Sequence, residues 1–172
     1  ERLREFKNIP AIPPPEEVEH ILRPYQVSGF QWLSYLNDVG WGGILADDMG
    51  LGKTIQALSF LHHLCEKQKN MKALVVCPTT LMYNWENEIK KFTPSLTYQI
   101  HHGAQRSRDK NIFDSFNIVI TTYGTLRSDI KLLSEQNFDC VILDESQAIK
   151  NPNSKVAKAS CLLKSKHRLC MS

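Results

Sequence analysis

The stretch Ile44-Leu45-Ala46-Asp47-Asp48-Met49-Gly50-Leu51-Gly52-Lys53-Thr54 passes from an apolar run directly into a segment of helical periodicity. Strand, glycine-rich turn and helix in that order make a loop able to wrap a phosphate group. Glycines at 50 and 52 accept backbone conformations that a Cβ would penalise, and they let amide groups approach anionic oxygens closely. The helix that follows offers its unpaired N-terminal amides and the positive end of its dipole to the same anion. In such a loop Lys53 is expected to reach the β- and γ-phosphates of a nucleotide, and the Thr54 hydroxyl to meet Mg2+. The general pattern has a glycine six residues before the lysine, and Asp47 stands there instead. A plain strand-to-helix turn with a solvated lysine is the bland reading. The conjunction of strand, two glycines, Lys-Thr and helix speaks against it.

Outward from that loop, apolar runs predict strands at 43–46, 73–77, 97–101, 117–121, 139–143 and 168–171. Between them, helical segments are expected at 53–66, 81–92, 107–113, 124–133 and 154–164. An earlier helix starts at Pro24, carries Tyr25, Phe30, Trp32, Leu33 and Leu36 at helical spacing, and ends near Gly40. The runs Ala73-Leu74-Val75-Val76-Cys77 and Cys140-Val141-Ile142-Leu143 are apolar on both faces, as parallel strands covered by helices on both sides must be. Regular alternation of strand and helix implies right-handed crossovers and an α/β fold, a doubly wound and mostly parallel sheet. Residues 1–16, with Pro10, Pro13, Pro14 and Pro15 among charges, read as a Pro-rich linker or N-terminal extension to a domain over 17–172. That composition leads us to expect a further domain before it.

A second acidic site completes the chemistry. Val141-Ile142-Leu143-Asp144-Glu145 ends a buried strand in two carboxylates. Doubly wound sheets bind ligands beyond the carboxyl ends of their strands, so this end is expected beside the phosphate loop. Asp144 is the natural Mg2+ holder, directly or through a metal-bound water, and Glu145 the natural general base or water-positioner. Alone, such an ending is as often a surface turn. The phosphate loop tips the balance.

Composition bounds the rest. At 172 residues the chain has room for one domain with a hydrophobic core. A formal charge of +3 suits a phosphate-backbone partner but equally suits none. The five cysteines are scattered, and Cys77 and Cys140 fall inside apolar runs where cysteine acts as a small hydrophobe. No CxxC or Cys/His spacing suggests zinc, and the pairs His62-His63 and His101-His102 are adjacent, so neither puts two imidazoles on one helical face. With no signal peptide and no apolar stretch long enough for a bilayer, we expect no membrane partner and a reducing compartment, cytoplasmic in a bacterium or nuclear in a eukaryote.

Several further segments occur in a telling order. Leu22-Arg23-Pro24-Tyr25-Gln26 is followed by Gly29 and Trp32, then by Asp47-Asp48-Met49-Gly50-Leu51-Gly52-Lys53-Thr54-Ile55-Gln56. Cys77-Pro78 with Leu81, Asn84-Trp85 and Glu88 comes next, then Thr121-Thr122-Tyr123. Asp144-Glu145-Ser146-Gln147, Ala148-Ile149-Lys150-Asn151 and His167-Arg168-Leu169-Cys170-Met171-Ser172 close the series. From about Leu22 onward this resembles the N-terminal ATPase lobe of the Swi/Snf-type DNA translocases, in helicase superfamily two.

The resemblance implies a RecA-like P-loop NTPase fold, the first of two helicase lobes, with ATP and Mg2+ as cofactors. It implies that Gln26 reads the adenine edge and that Asp48, Met49, Gly50, Leu51, Gly52, Lys53 and Thr54 bind the nucleotide. Asp47 in place of the first glycine belongs to the family's pattern, whereas the family usually has Glu where Asp48 stands. Lys53, Asp144 and Glu145 take the catalytic roles, with Thr54 and Asp144 toward the metal. The motifs that hold Trp85 and Glu88, and those around Thr79, Thr80, Thr122 and Tyr123, are implied to follow a strand of duplex DNA. Thr79, Thr80, Thr122 and Tyr123 would do so by backbone contacts that carry no sequence information. Ser146 and Gln147 depart from the usual Asp-Glu-Ala-His box, which puts coupling rather than hydrolysis in question. The final segment resembles the opening of a motif that normally continues Gly-Thr-Pro. A C-terminal lobe of the same chain is the implied partner, supplying arginines worth roughly 10³–10⁵ in rate. Residues 1–172 alone are therefore expected to hydrolyse almost no ATP.

Weaker features stay open. Trp85, at helical spacing from Ile89 and Phe92, reads as core rather than as a base-stacking platform. Lys90, Lys91, Arg106, Arg108, Lys110 and Lys150 read first as solvated surface. A kinase or GTPase switch would need a substrate lid or a guanine motif, and the sequence offers neither. An RNA helicase-like lobe and a non-catalytic nucleotide-gated module stand as rivals to the DNA motor.

Overall fold

The computed structural model describes residues 12–38, 43–45, 52–149 and 151–171. Six strands form one sheet: β1 (Gly43–Leu45), β2 (Ala73–Cys77), β3 (Tyr98–Ile100), β4 (Ile118–Thr122), β5 (Asn137–Leu143) and β6 (Lys164–Met171). Their order is β1-β6-β5-β2-β4-β3, and every pairing is parallel. The helices are α1 (Glu16–Glu19), α2 (Pro24–Asp38), α3 (Lys53–Lys67), α4 (Met82–Phe92), α5 (Ile112–Ser115), α6 (Tyr123–Ser128), α7 (Ile130–Ser134) and α8 (Lys155–Leu162).

The period-2 alternation of strand side chains explains why the central strands carry no polar face. Ala73, Val75, Cys77, Ile118, Ile120, Cys140 and Ile142 point one way, into a core with Phe30 of α2, Leu58, Phe60 and Leu61 of α3, and Trp85 and Ile89 of α4. Leu74, Val76, Val119, Val141 and Leu143 point the other way, against Leu126 of α6, Leu133 of α7 and Ala159 of α8. The chain winds outward to β3 under the first helical layer and returns through β5 and β6 under the second. All strand carboxyl ends thus face the same rim.

Three of the expected elements differ most from the sequence reading, each for a local reason. The helix expected over 124–133 is two short helices, broken at Asp129 (φ −107°, ψ 20°), whose carboxylate is drawn to Arg106 and His101. The helix expected over 107–113 shrinks to Ile112–Ser115. There Ser107 Oγ accepts from the Asp109 amide and Asp109 Oδ1 from the Asn111 amide, turn bonds that compete with helix. β6 begins four residues before its apolar run, because polar Lys164 and Ser165 still pair with Asn137 and Phe138 of β5.

Before α2, the one-turn helix α1 buries Val18, and Glu17 accepts hydrogen bonds from the Ser95 amide and hydroxyl at 3.2 and 2.7 Å. The proline-rich stretch therefore packs on the domain from Ile12 onward, with Ile12 against the core. All five cysteines are free. No described helix is long and apolar enough to cross a membrane.

Candidate nucleotide site

Gly52 precedes α3 in a left-handed conformation, φ +85°, that a side chain would strain. Space is closed there too, since a Cβ would lie 2.1 Å from Gln26 Nε2. The Gln26 amide thus stands directly over the entry to α3. It is buried, and its Oε1 accepts from the Arg23 amide at 2.9 Å, which fixes the side chain at the start of α2. Gln26 and the end of the phosphate loop, distant in sequence, meet at one point of the fold. Asp48, Met49, Gly50 and Leu51 lie outside the described residues.

Lys53 and Thr54 open α3 at this rim, and Asp144 ends β5 at the same rim. Asp144 is only 7% exposed. Its Oδ2 accepts from Trp85 Nε1 at 2.8 Å and its Oδ1 from the Glu145 amide at 2.9 Å. Burial pushes the Asp144 carboxyl above the usual carboxylate range, and those two donors and the Lys53 charge pull it back.

Glu145 has φ +50°, the one positive φ among described non-glycine residues. Such a backbone costs of order 1–3 kcal/mol and persists only when the surroundings impose it. They do so on both sides. The Tyr123 hydroxyl donates to the Asp144 carbonyl at 2.7 Å, and Gln147 Nε2 donates to Glu145 Oε2. Burial raises the Tyr123 phenol well above its ordinary value, so it remains a donor. On α4, burial pushes the Glu88 carboxyl upward, with the Thr54 side chain and Lys91 drawing it back.

One of these links escapes a reading of local pattern. Trp85 is fully buried in the core, as its spacing suggests, yet its indole N–H is also spent on Asp144. Trp85, whose motif the resemblance places on a nucleic-acid face, turns its indole N–H to Asp144 at the end of β5. Of the residues implied to touch DNA, Thr79 and Thr80 are exposed in a tight turn just past the end of β2. Thr122 and Tyr123 are buried, and their hydroxyls are engaged inside. Thr122 Oγ1 caps α6 by accepting from the Thr125 amide at 3.2 Å and also meets His102 Nδ1.

Arg106, read as surface, is tied down. Its Nε and one terminal nitrogen donate to the two oxygens of Asp129 at 2.6 and 2.8 Å, and His101 Nε2 reaches Asp129 Oδ2 at 2.7 Å. The Arg106 fork first, and His101 after it, hold the Asp129 carboxyl down at about 2, against a partial burial that works the other way.

The donor set at the rim suits Mg2+. A threonine hydroxyl and an aspartate are hard oxygen ligands, and Mg2+ is ordinarily held by one or two protein groups plus substrate phosphates and water. No cage of three or more His, Cys, Asp or Glu exists among the described residues, so the ion would depend on the phosphates. Glu88 Oε2 is buried without a partner among the described residues, an open acceptor on the same side.

A glutamine over a glycine-started helix, with a lysine, a hydroxyl and two strand-end acids at one rim of an all-parallel sheet, defines a nucleotide-binding lobe of the P-loop class. Residues 25–172 match the model of the SNF2-related domain, and the chain belongs to that family. It is 34% identical over 175 residues to a putative ATP-dependent helicase/translocase, YwqA, of Bacillus subtilis, covering 99% of this chain and 19% of that protein. It is 41% identical to the helicase SWR1 of Mycosarcoma maydis, over 88% of this chain and 9% of that one. A solved SWI2/SNF2 ATPase core of Sulfolobus solfataricus in complex with dsDNA superposes with a TM-score of 0.82 at 40% identity, over 88% of this chain and 31% of that one. The chain thus spans less than a third of each of these three proteins.

Proposed function

We propose that this lobe binds ATP with Mg2+ and forms the first half of a duplex-DNA-dependent ATPase of the Swi/Snf type. Hydrolysis would be coupled to movement along DNA or to remodelling of protein–DNA complexes, in a bacterial cytoplasm or a eukaryotic nucleus. The observation that carries the reading is the packing of Gln26 against Gly52 at the start of α3, with Lys53 and Thr54 following and Asp144 ending β5 at the same rim of the sheet. The names of the relatives, helicase and translocase, and the dsDNA in the Sulfolobus structure support the substrate class.

Each residue has a role in that reading. Gln26 faces the base, the Gly52–Thr54 amides and Lys53 take the phosphates, and Thr54 with Asp144 holds the ion. Bound Mg2+ would supply charge neutralisation on the phosphate oxygens. Glu145, fixed by its neighbours in a left-handed backbone, orients the attacking water and takes its proton. Thr79 and Thr80 offer hydroxyls to a DNA backbone, with Thr122 and Tyr123 acting through their main chain and through the segment they brace. A second lobe is needed for arginines at the γ-phosphate, which makes residues 1–172 alone nearly inactive.

The test is the ATPase rate of the full-length protein with no nucleic acid, duplex DNA, single-stranded DNA and RNA. Stimulation by duplex DNA regardless of sequence, fading steeply as salt rises, is expected. Stimulation by RNA alone would make this an RNA helicase-like lobe. Turnover indifferent to every nucleic acid would remove the motor reading.

A further inference from the structure

The rim opposite the nucleotide site, at the amino ends of the strands, gathers positive charge. Around the starts of β2, β5 and β6 lies an open cavity of about 460 Å3, lined by Gln68, Asn70, Lys72, Asn137, Lys164 and Lys166, with Asp139 among them. Asp139 and Lys166 continue it toward Lys67, and Asn70 continues it toward Lys69 and Asp114. Five lysines thus stand along one furrow against two aspartates. Asp139 belongs to the frame, for its Oδ2 accepts from the Lys72 amide at 2.8 Å and its Oδ1 lies 3.3 Å from Lys166 Nζ. Asp114 lies 2.8 Å from Lys72 Nζ. The Lys166 side chain is 75% exposed and that of Asp114 67%, so both ion pairs are weak surface pairs that a better-placed anion can exchange. Lys69 and Lys164 form no ion pair among the described residues.

Spacing and lining decide what such a furrow fits. Side chains two apart on a strand share one face at roughly 7 Å, so Lys164 and Lys166 match alternate residues of an extended peptide. The strands β2, β5 and β6 are neighbours spanning about 10 Å, too narrow to seat a duplex whose major groove alone is about 12 Å wide. A single nucleic-acid strand stacks its bases on aromatic faces, and the aromatic residue lining the cavity, Phe138, is only 2% exposed. The amides of Gln68, Asn70 and Asn137 offer both donors and acceptors, which suits a peptide backbone. We propose that the furrow docks an extended acidic segment of a partner protein, with carboxylates on alternate residues meeting Lys164 and Lys166. The seven residues of β5 put the furrow about 20 Å from the nucleotide rim, so an occupant leaves that rim open. Docking there is independent of what the nucleotide rim binds.

The experiment is fluorescence anisotropy of a labelled peptide of alternating Glu and Ser, titrated with the full-length protein at low salt. The wild type should bind it, and the same peptide with Gln in place of Glu should not bind. Lys164→Glu/Lys166→Glu should weaken binding by roughly tenfold or more, because the reversed charges repel the acids. Lys158→Glu, at an exposed lysine on α8 outside the furrow, should change affinity by less than about twofold. Lys164→Gln/Lys166→Gln removes the charges without reversing them and should lose roughly threefold. It decides the matter if the reversed variant does not fold. Saturating duplex or single-stranded DNA should leave the peptide in place. A wild type that does not bind the peptide overturns the proposal, as does wild-type affinity in both furrow variants. An equal loss in Lys158→Glu, or displacement of the peptide by either DNA, overturns it as well.

Discussion

Asp144 is buried and Asp129 partly so, and burial pushes both carboxyls upward, yet their partners leave the two displaced in opposite directions. Asp129 has a full counter-charge, the two-pronged Arg106 guanidinium, with His101 on the same carboxylate. Its carboxyl is held down at about 2. Asp144 is given two neutral donors, the Trp85 indole and the Glu145 amide, and it feels Lys53 only as one of the lesser influences. Desolvation wins, and its carboxyl is pushed up. A carboxylate compensated inside the fold closes a joint between helices. On the function proposed above, the one left under-compensated at the rim is the one that would meet a cation.

The largest expected effect contrasts the two regions directly. Glu145→Gln in the full-length protein should lower DNA-stimulated turnover by roughly 10²–10⁴-fold while leaving the melting temperature in place. Asp129→Asn should do the reverse, leaving turnover at the wild-type level. Its loss of charge-assisted bonds should cost about 2 kcal/mol, a fall in melting temperature of roughly 4–8 °C. A turnover defect in Asp129→Asn matching that of Glu145→Gln would erase the distinction.

The pH dependence sharpens it. Asp129 has a folded value of about 2 against an ordinary 3.8, so the stability it contributes is present above pH 3.8 and is lost as pH falls toward 2. Denaturant titrations between pH 2 and 7 should show that loss in the wild type and lack it in Asp129→Asn. Asp144 has the opposite sign. Its raised value means that ionisation opposes folding as pH climbs past the ordinary 3.8. Asp144→Asn keeps an oxygen for Trp85 but turns its amide nitrogen to the Glu145 N–H, so its stability relative to the wild type should be higher at pH 7 than below pH 3.8, whatever that lost bond costs at both. A stability difference that does not change with pH would show that ionisation of Asp144 does not oppose folding.

The smallest effect concerns the brace between the two regions. Tyr123→Phe removes a 2.7 Å bond to the Asp144 carbonyl and should cost about 1 kcal/mol, read as a melting shift of roughly 2–4 °C. Because that bond steadies the left-handed Glu145, turnover should fall as well. An unchanged rate would confine Tyr123 to packing.

What local pattern could reveal follows from range. β2 matches its apolar run residue for residue, since a strand buried on both faces needs nothing but consecutive apolar side chains. The phosphate-loop helix and the acidic strand end were legible for the same reason, being defined by adjacent residues. The Trp85–Asp144 bond spans 59 positions and the Tyr123–Asp144 bond 21, and nothing in either neighbourhood announces them. The break at Asp129 was hidden likewise, because helical periodicity continues through it while Arg106, 23 positions away, pulls the carboxylate aside.

The most direct measurement is a crystal structure of this lobe with a non-hydrolysable ATP analogue and Mg2+. The triphosphate should lie against Gly52, Lys53 and Thr54, with Asp144 facing the ion and Gln26 facing the base. A triphosphate seated elsewhere, or seated there with Asp144 remote from the metal, would contradict the convergence on which the motor reading depends.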